Sequence, residues 1–342
     1  MSLDLGGLPL GIGSLPHTDI DAACRFVLAA FPESPFWPEL PARDWRESMG
    51  VDQIRGLPGA VIDDEGRRAF FELSGDLSGE LERFYESYLS ESIGEFAVSP
   101  EFLPGQSAMG RLIAAGGSRP IILKGQLTGP TTLGLMMKDS AGKALLYNEQ
   151  MMDVLVKSTR LKAKWLISEM APLCGIPAVF FDEPMLQSIG SASIPIERET
   201  AVARLREIMD GLDCLTGGHC CGNTDWSIMM SAGLDVIAYD AWNFGDTLGL
   251  YGADLARFIE RGGYVAWGIV PASLEGANVE TGLLISKMEA LIGRTAVGAG
   301  VSEELLRERG FVTPSCGLGS LSVSEAEEIL KKTAAVSAAL WG

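Results

Sequence analysis

Short, almost continuously apolar runs alternate with longer amphipathic stretches along most of the chain. In the stretches 148–170 and 197–212 the apolar residues recur at intervals of three and four, which predicts helices. The short runs lack the alternation of half-exposed strands, and this is typical of strands covered on both faces in parallel β-α-β units. Eight runs predict strands, at 10–14, 35–40, 120–126, 178–182, 214–221, 236–240, 264–268 and 311–315.

Eight β-α units in one chain of 342 residues predict an α/β fold, a single (β/α)8 TIM barrel. Residues from about 41 to 119 form a long insertion after the second strand in this prediction, and their Glu- and Tyr-rich part at 80–91 indicates helices beside the mouth of the barrel. A doubly wound open sheet is the alternative. No repeat, low-complexity segment or linker interrupts the sequence, so residues 1–342 are expected to form one domain.

Candidate functional residues follow the predicted strands at one end. In a barrel of this type the active site is built at the carboxyl ends of the strands, so residues at these positions are expected to share one mouth. The residues at these positions are Gly13 and Ser14 for the first strand, Asp182 and Glu183 for the fourth, His219 and Cys221 for the fifth, Asp240 for the sixth and Cys316 for the eighth.

A metal site is indicated by the spacing of His219 and Cys221 within the predicted strand 214–221. Side chains alternate between the two faces of a strand, so these two residues share a face and Cys220 points away. Cys316, bracketed by proline and glycine, supplies a third donor from a distant part of the chain. Two thiolates and an imidazole are typical ligands of zinc. The alternative is that the cysteines are small apolar residues of the core.

The composition narrows the class of protein. Acidic residues outnumber basic ones by 45 to 27, and the formal charge of −18 disfavours nucleic acid and anionic membrane surfaces as partners. No apolar run is long enough to span a membrane, and the first residues lack the basic region of a signal peptide. Six cysteines in a chain of this length suit reduced thiols better than a disulfide framework. A cytoplasmic protein is the expectation.

Five short motifs occur in an order known from one enzyme family. They are Ile-Gly-Ser-Leu-Pro at 12–16, Leu-Thr-Gly-Pro at 127–130, Phe-Asp-Glu-Pro at 181–184, His-Cys-Cys at 219–221 and Pro-Ser-Cys-Gly-Leu at 314–318. Together they resemble the catalytic half of cobalamin-independent methionine synthase, in a core-only form without the N-terminal barrel that helps to bind folate. The wider superfamily includes uroporphyrinogen decarboxylases and zinc methyltransferases of coenzyme M, whose His-x-Cys-Gly-Asn motif is similar to residues 219–223.

The resemblance implies a zinc ion with a His, two Cys and an acidic ligand. Residue by residue, His219, Cys221 and Cys316 match the family's ligands, and these three are the catalytic residues that the resemblance implies. At the family's Glu position this chain has Asp240, whose side chain is one methylene shorter. A carboxylate of this kind also binds zinc. The alternative for Asp240 is that it caps the amino end of the following helix.

The resemblance also implies residues that bind the substrate, the amino acid homocysteine. Backbone groups around Gly13 and Ser14 hold the amino acid, and the Asp-Glu-Pro motif supplies Asp182, which binds its ammonium group, together with Glu183. The alternative for Asp182 and Glu183 is a turn that follows the strand, with Asp accepting backbone hydrogen bonds.

The activity implied is methylation of a thiol. Zinc deprotonates a bound thiol, and the resulting thiolate attacks an activated methyl group, which gives methionine from homocysteine. The folate half is missing, and the segment 268–273 lacks the family's acidic His, so methylcobalamin on a separate corrinoid protein is the expected donor; His17 is the substitute acid considered. The alternatives are a coenzyme M methyltransferase, a decarboxylase of the uroporphyrinogen type, a structural zinc site and a non-catalytic partner in a corrinoid complex.

Overall fold

Six parallel strands form the central sheet of the protein, seen in a computed structural model that describes residues 5–117, 119–191 and 194–342. These six strands, β3 to β8, pair side by side in sequence order, while β1 and β2 form a separate antiparallel hairpin. In chain order the strands are β1 (Ala60–Asp63), β2 (Arg68–Phe71), β3 (Ile122–Thr128), β4 (Ile176–Asp182), β5 (Leu215–Cys220), β6 (Val236–Tyr239), β7 (Tyr264–Val270) and β8 (Gly310–Pro314).

Helices follow most of the strands. The α-helices of the described residues are α1 (Ile20–Ala30), α2 (Val51–Ile54), α3 (Ser78–Leu89), α4 (Pro104–Gly116), α5 (Pro130–Met136), α6 (Glu149–Met170), α7 (Arg198–Met209), α8 (Ser227–Ala232), α9 (Ala241–Phe244), α10 (Gly252–Glu260), α11 (Leu274–Asn278), α12 (Thr281–Ala299), α13 (Glu303–Glu308) and α14 (Val323–Trp341). Short 3-10 turns lie at Trp45–Glu47, Ile93–Phe96, Leu145–Tyr147, Pro184–Ser188 and Gly245–Tyr251. Among the residues described, none of the helices combines the length and apolar character needed to cross a membrane.

The predicted α/β fold is confirmed, and so are both predicted helices. The helix α6 begins where the sequence indicates, because the side chain of Asn148 caps it by accepting from the backbone N of Met151 at 3.1 Å. The predicted strands from 120–126 onward match β3 to β8. The sheet keeps sequence order throughout and has no reversal point, which excludes the doubly wound alternative.

The first two predicted strands, 10–14 and 35–40, do not form regular strands. Single parallel bridges connect Pro9 with Val312 of β8, Ser14 with Glu39, and Phe36 with Lys124 of β3. Prolines at 9, 35 and 38 lack the N–H that a continuous ladder requires, and this explains why pairing is limited to isolated positions. What the structure contains is a curled six-stranded parallel sheet whose two edges are each bridged to one of these segments.

Two apolar clusters occupy the two faces of the sheet. The smaller cluster lies on the inner face, away from the carboxyl ends of the strands. It consists of Leu5, Leu10, Ile122, Ala178, Phe180, Val236, Ala238, Tyr264, Ala266 and Phe311. The larger cluster lies between the sheet and the helices and includes the rings of Trp226, Tyr239 and Trp267, which contact one another edge-to-face or tilted. The inner face therefore changes from apolar to polar towards the carboxyl ends of the strands.

The insertion at 41–119 contains α2, the β1–β2 hairpin, α3 and α4. The predicted helix at 80–91 corresponds to α3, whereas the hairpin was not predicted, since each of its strands is only four residues long. Gln53 fastens the insertion to the end of β3: its Oε1 accepts from the backbone N of Thr128 at 2.6 Å, and its Nε2 donates to the backbone O at 3.0 Å. The insertion thus lies at the carboxyl edge of the sheet.

Candidate metal centre

Three donor groups meet at the carboxyl ends of β5 and β8. One ligand atom each from His219, Cys221 and Cys316 lies within 4.8 Å of the other two. The neighbouring Cys220 is fully buried in the larger apolar cluster, and its burial raises the pKa of its thiol to about 12. The alternation of side chains along β5 therefore places Cys220 in the core, whereas His219 and Cys221 point to a common centre.

The chemistry of these donors fits a zinc ion. His219 is 4% exposed, and neither of its ring nitrogens has a hydrogen-bond partner among the described residues. Unpaired polar atoms in the interior are costly and rare, and coordination of a metal satisfies one of these nitrogens. Two sulfur donors and one imidazole match a zinc site that keeps its fourth position open.

The two thiols differ in their tendency to ionise. The hydrogen bond with Cys316, and after it the neighbouring His219 ring, lowers the pKa of Cys221 to about 4. The same hydrogen bond, together with burial, raises the pKa of Cys316. The hydrogen bond and the imidazole therefore favour ionisation of Cys221 over that of Cys316, and it is the thiolate form that binds metals.

The predicted substrate loop lies against the loop of Cys316. The backbone N of Leu318 donates to the carbonyl of Ser14 at 2.9 Å. Gly13 has a φ of 152°, and a Cβ at this position would lie 2.7 Å from the side-chain amide of Gln126. Only glycine tolerates both the backbone angle and the close approach. Gly13 and Ser14 are thus brought next to the loop that carries one of the three donors, Cys316, and their contact with substrate stays a prediction.

Asp182 also lies beside the centre, since it is the register partner of His219 in the pairing of β4 with β5. The residue is 7% exposed, and its Oδ1 has no hydrogen-bond partner among the described residues. Burial raises the pKa of this carboxyl, while His219 and Lys124 act in the opposite direction. A buried acceptor that lacks a donor suits a cationic group of a ligand.

Glu183 has a different environment from Asp182. Its carboxylate accepts from the backbone N of Thr131 at 3.0 Å and from the N and Oγ1 of Thr132, each at 2.7 Å, at the amino end of α5. Gly129 permits this approach, because a Cβ there would lie 2.4 Å from the Glu183 side chain. Both carboxylate oxygens are engaged in capping the helix, and contact of Glu183 with substrate stays a prediction.

Replacing Glu183 by Ala is expected to lower the free energy of unfolding by several kcal/mol, since each buried donor left unpaired costs about 1–3 kcal/mol. Chemical denaturation measures this loss. Glu183→Gln, which keeps an acceptor oxygen and the side-chain volume, is the matched control and is expected to lose less. Equal stability of Glu183→Ala and the unmodified protein would contradict the capping role.

Asp240 caps α9, as the alternative from the sequence proposed. Its Oδ1 accepts from the backbone N of Asn243 at 2.9 Å, and its Oδ2 accepts from the Asn243 side chain at 2.7 Å. Burial raises the pKa of Asp240, and the nearby Cys221 contributes in the same direction. The carboxylate is not part of the three-donor group. The sequence predicted Asp240 as a fourth metal ligand, and the structure does not test this role; the two hydrogen bonds with Asn243 favour the capping role instead.

The Asp240→Asn variant separates the two roles, because the amide keeps an acceptor oxygen for the helix cap but removes the negative charge. We expect this variant to retain its zinc, since both oxygens of Asp240 already accept from Asn243, and to change stability by less than the ~1 kcal/mol of a lost cap. Metal analysis of the purified variant is the measurement. Loss of zinc would instead identify Asp240 as a ligand.

Two charged residues near the centre were missed at the sequence level. Lys124 is 1% exposed on β3, and Glu39, which is partly exposed, has a pKa raised by desolvation and then by the carboxylates of Asp52 and Asp182. The sequence feature that could have indicated Lys124 is a lysine within the apolar run that forms β3. His17, considered as an acid, instead lies with its Nε2 3.4 Å from Oε1 of Glu327.

Comparisons with known proteins place the fold but not a family. Neither a scan against protein-family models nor a search of curated proteins gives a match. Among solved structures, the B12-independent methionine synthase from Shewanella sp. W3-18-1, in complex with selenomethionine, aligns over 98% of this chain and 97% of its own, with a TM-score of 0.59 and 15% identity. A methyltransferase from Methanosarcina mazei aligns over 96% of this chain and 87% of its own, with a TM-score of 0.55 and 12% identity. The chain therefore has the fold of these methionine synthase and methyltransferase structures.

Proposed function

We propose that the chain is a zinc-dependent methyltransferase that methylates a thiol, with homocysteine as the acceptor and methionine as the product. The observation that carries the proposal is the meeting of His219, Cys221 and Cys316 at one end of the sheet. Neither imidazole nitrogen has a hydrogen-bond partner in the part of the chain that the structure describes. A zinc ion held here would keep the acceptor thiol deprotonated at neutral pH.

The side chains around the centre suit an amino-acid thiol. Asp182 offers an ammonium group a buried carboxylate oxygen, Oδ1, for which the described residues supply no donor. Backbone groups around Gly13 and Ser14 lie next to the Cys316 loop, where they would hold the rest of the amino acid. The likeness to a methionine synthase that was solved with selenomethionine supports a substrate of this class. Glu39 adds a second carboxylate close to Asp182, as the effect of Asp182 on its pKa indicates.

We further propose that residues 1–342 form one domain, in which the sheet closes into an eight-stranded barrel through the segments 9–15 and 35–39. Backbone bonds at both edges support this closure: the N of Leu10 donates to the O of Val312 at 2.8 Å, and the N of Trp37 donates to the O of Lys124 at 3.3 Å. Closure of this kind places Gly13, Ser14 and Glu39 around the same mouth as the metal donors.

The methyl donor that we propose is methylcobalamin on a separate corrinoid protein, in the cytoplasm. The segment 268–273 has no His to protonate a folate leaving group. Transfer from a corrinoid needs no protonation of the leaving group, which is consistent with the absence of an acid at this position.

The test is metal analysis of the purified full chain, followed by incubation with methylcobalamin and either homocysteine or coenzyme M. We expect one zinc per chain, together with demethylation of the corrinoid and formation of methionine when homocysteine is present. Turnover with coenzyme M but not with homocysteine would identify coenzyme M as the acceptor in place of homocysteine. Protein purified with ample zinc that nevertheless contains no metal would overturn the proposal.

A further inference from the structure

A buried lysine lies on the inner face of the sheet, deeper than the metal donors. The Nζ of Lys124 donates to the backbone carbonyl of Ile12 at 2.7 Å and to Oε1 of Gln126 at 3.3 Å, and it lies 4.7 Å from the ring centroid of Phe180. Burial lowers the pKa of this lysine to about 8. A buried ammonium group is costly unless its donors are bonded, so its contacts define a specific position in the fold.

Gln126, two residues further along β3, extends these contacts. Its Nε2 donates to the backbone carbonyl of Trp37 at 3.3 Å. Its side-chain amide also packs against Gly13, where a Cβ would lie 2.7 Å away. Lys124 and Gln126 together therefore hold both of the segments, 9–15 and 35–39, that bridge the edges of the sheet.

These two segments depend on side-chain contacts more than the regular strands do. A regular strand is held by a ladder of backbone hydrogen bonds along its length. The segment 9–15 has isolated bridges only, one to β8 at Pro9 and one to Glu39 at Ser14. Between these bridges, the bond from Lys124 to the Ile12 carbonyl is what ties the segment to β3.

The segment that Lys124 holds supports the loop of the third metal donor. The carbonyl of Ser14 accepts from the backbone N of Leu318 at 2.9 Å. A Cβ on Gly317 would lie 3.3 Å from the Cβ of Ser14, so the two backbones are in close contact. Cys316 directly precedes this contact, and a shift of residues 12–14 therefore changes the support of its loop.

We propose that Lys124 is a positioning residue for the metal centre: through the carbonyl of Ile12 it fixes residues 12–14, and these residues hold the loop that carries Cys316. That the positioned loop serves a zinc ion rests on the proposed function. The contacts of Lys124 and of residues 12–14 are present in the metal-free chain and do not depend on it. Outer-sphere groups that orient a metal ligand typically contribute 10- to 100-fold to metal affinity.

The test is Lys124→Met in the full chain, with two measurements. Zinc affinity, measured by competition with a chelator, is expected to fall by roughly 10- to 100-fold. The rate at which iodoacetamide labels Cys316 in the metal-free protein, followed by mass spectrometry of the peptide, is expected to rise severalfold. Lys124→Arg keeps a charged donor in reach of the Ile12 carbonyl and is expected to recover part of both properties.

Lys162→Met is the matched control. Lys162 is also buried, at 2% exposure, with a pKa lowered to about 8, but its Nζ donates to the carbonyl of Phe96 at 3.4 Å, away from residues 12–14. We expect it to lose comparable stability without a change in zinc affinity or in labelling of Cys316. The proposal is overturned if both lysine variants change the site equally, or if Lys124→Met and the unmodified protein agree in both measurements.

Both measurements on the lysine variants can be interpreted even if the proposed function is wrong. Protein that binds zinc but transfers no methyl group still reports the zinc affinities, and protein that binds no zinc still reports the labelling rates. If Lys124→Met does not fold, Gln126→Leu removes the neighbouring link to Trp37 and is examined in the same two measurements; unchanged labelling of Cys316 in that variant would also count against the proposal.

Discussion

The Cys316→Ser protein is expected to be purified with little or no zinc and to have lost thiol methylation. Cys316 supplies one of only three donors that the described residues bring together, and a serine hydroxyl is a poor zinc ligand beside thiolate and imidazole. The loss of zinc affinity should exceed the roughly 10- to 100-fold cost of removing an outer-sphere partner. Competition with a chelator and measurement of methionine formation test the two parts separately.

Cys220→Ser is the control for this experiment. Cys220 is adjacent to the metal donors in sequence but is buried in the apolar cluster, with its Sγ 3.5 Å from the carbonyl of Gly222. The same chemical change at this position is expected to lower stability while leaving one zinc per chain. If both variants kept their zinc, the three-donor site would not be the metal centre.

The Asp182→Asn protein is expected to lose turnover of homocysteine while retaining its zinc and its stability. Removing one partner of a buried charge pair costs about 2–5 kcal/mol, which corresponds to a loss of roughly 30-fold or more in kcat/KM. Burial raises the pKa of Asp182 in the free protein, so replacing the carboxylate by a neutral amide removes an electrostatic cost and is not expected to unfold the chain. Steady-state kinetics and thermal denaturation measure the two effects.

A thiol without an amino group distinguishes this role from a general effect on the site. Mercaptoethanol has no ammonium group for Asp182 to bind, so its slow methylation is expected to be equal in the variant and the unmodified protein. If Asp182→Asn reduced both reactions by the same factor, Asp182 would act on the metal centre rather than on the amino acid.

The strands of the sheet were predictable because strands that are buried on both faces consist almost entirely of apolar residues. Runs such as 120–126 and 264–268 are apolar on both faces, and only the interior of an α/β fold requires this. Their carboxyl ends were predictable for the same reason, and the sequence therefore indicated which of its polar residues would meet. The grouping of His219 with Cys221 followed from the two-residue period of a strand alone.

The edges of the sheet were less predictable, because pairing there depends on which N–H groups are free. Residues 10–14 and 35–40 have the apolar character of strands, but their prolines and glycines restrict them to single bridges. The roles of Asp182 and Glu183 were also beyond the sequence. The two carboxylates are adjacent in sequence. Only the position of the amino end of α5 decides that both oxygens of Glu183 have donors, while Oδ1 of Asp182 has none among the described residues.

The order of His219, Cys221 and Cys316 along the chain determines when during biosynthesis the three-donor group can be completed. The ribosome makes His219 and Cys221 well before Cys316, and residues 222–315, which include three strands of the sheet, must be translated between them. A nascent chain that has reached residue 315 offers one imidazole and one thiolate, which is half of a tetrahedral site. Residues 12–14, although they are synthesised first, receive their contact with Leu318 last. The three-donor group is therefore complete only after Cys316 has been translated, and a metal ion bound by all three donors cannot guide the folding of the first strands.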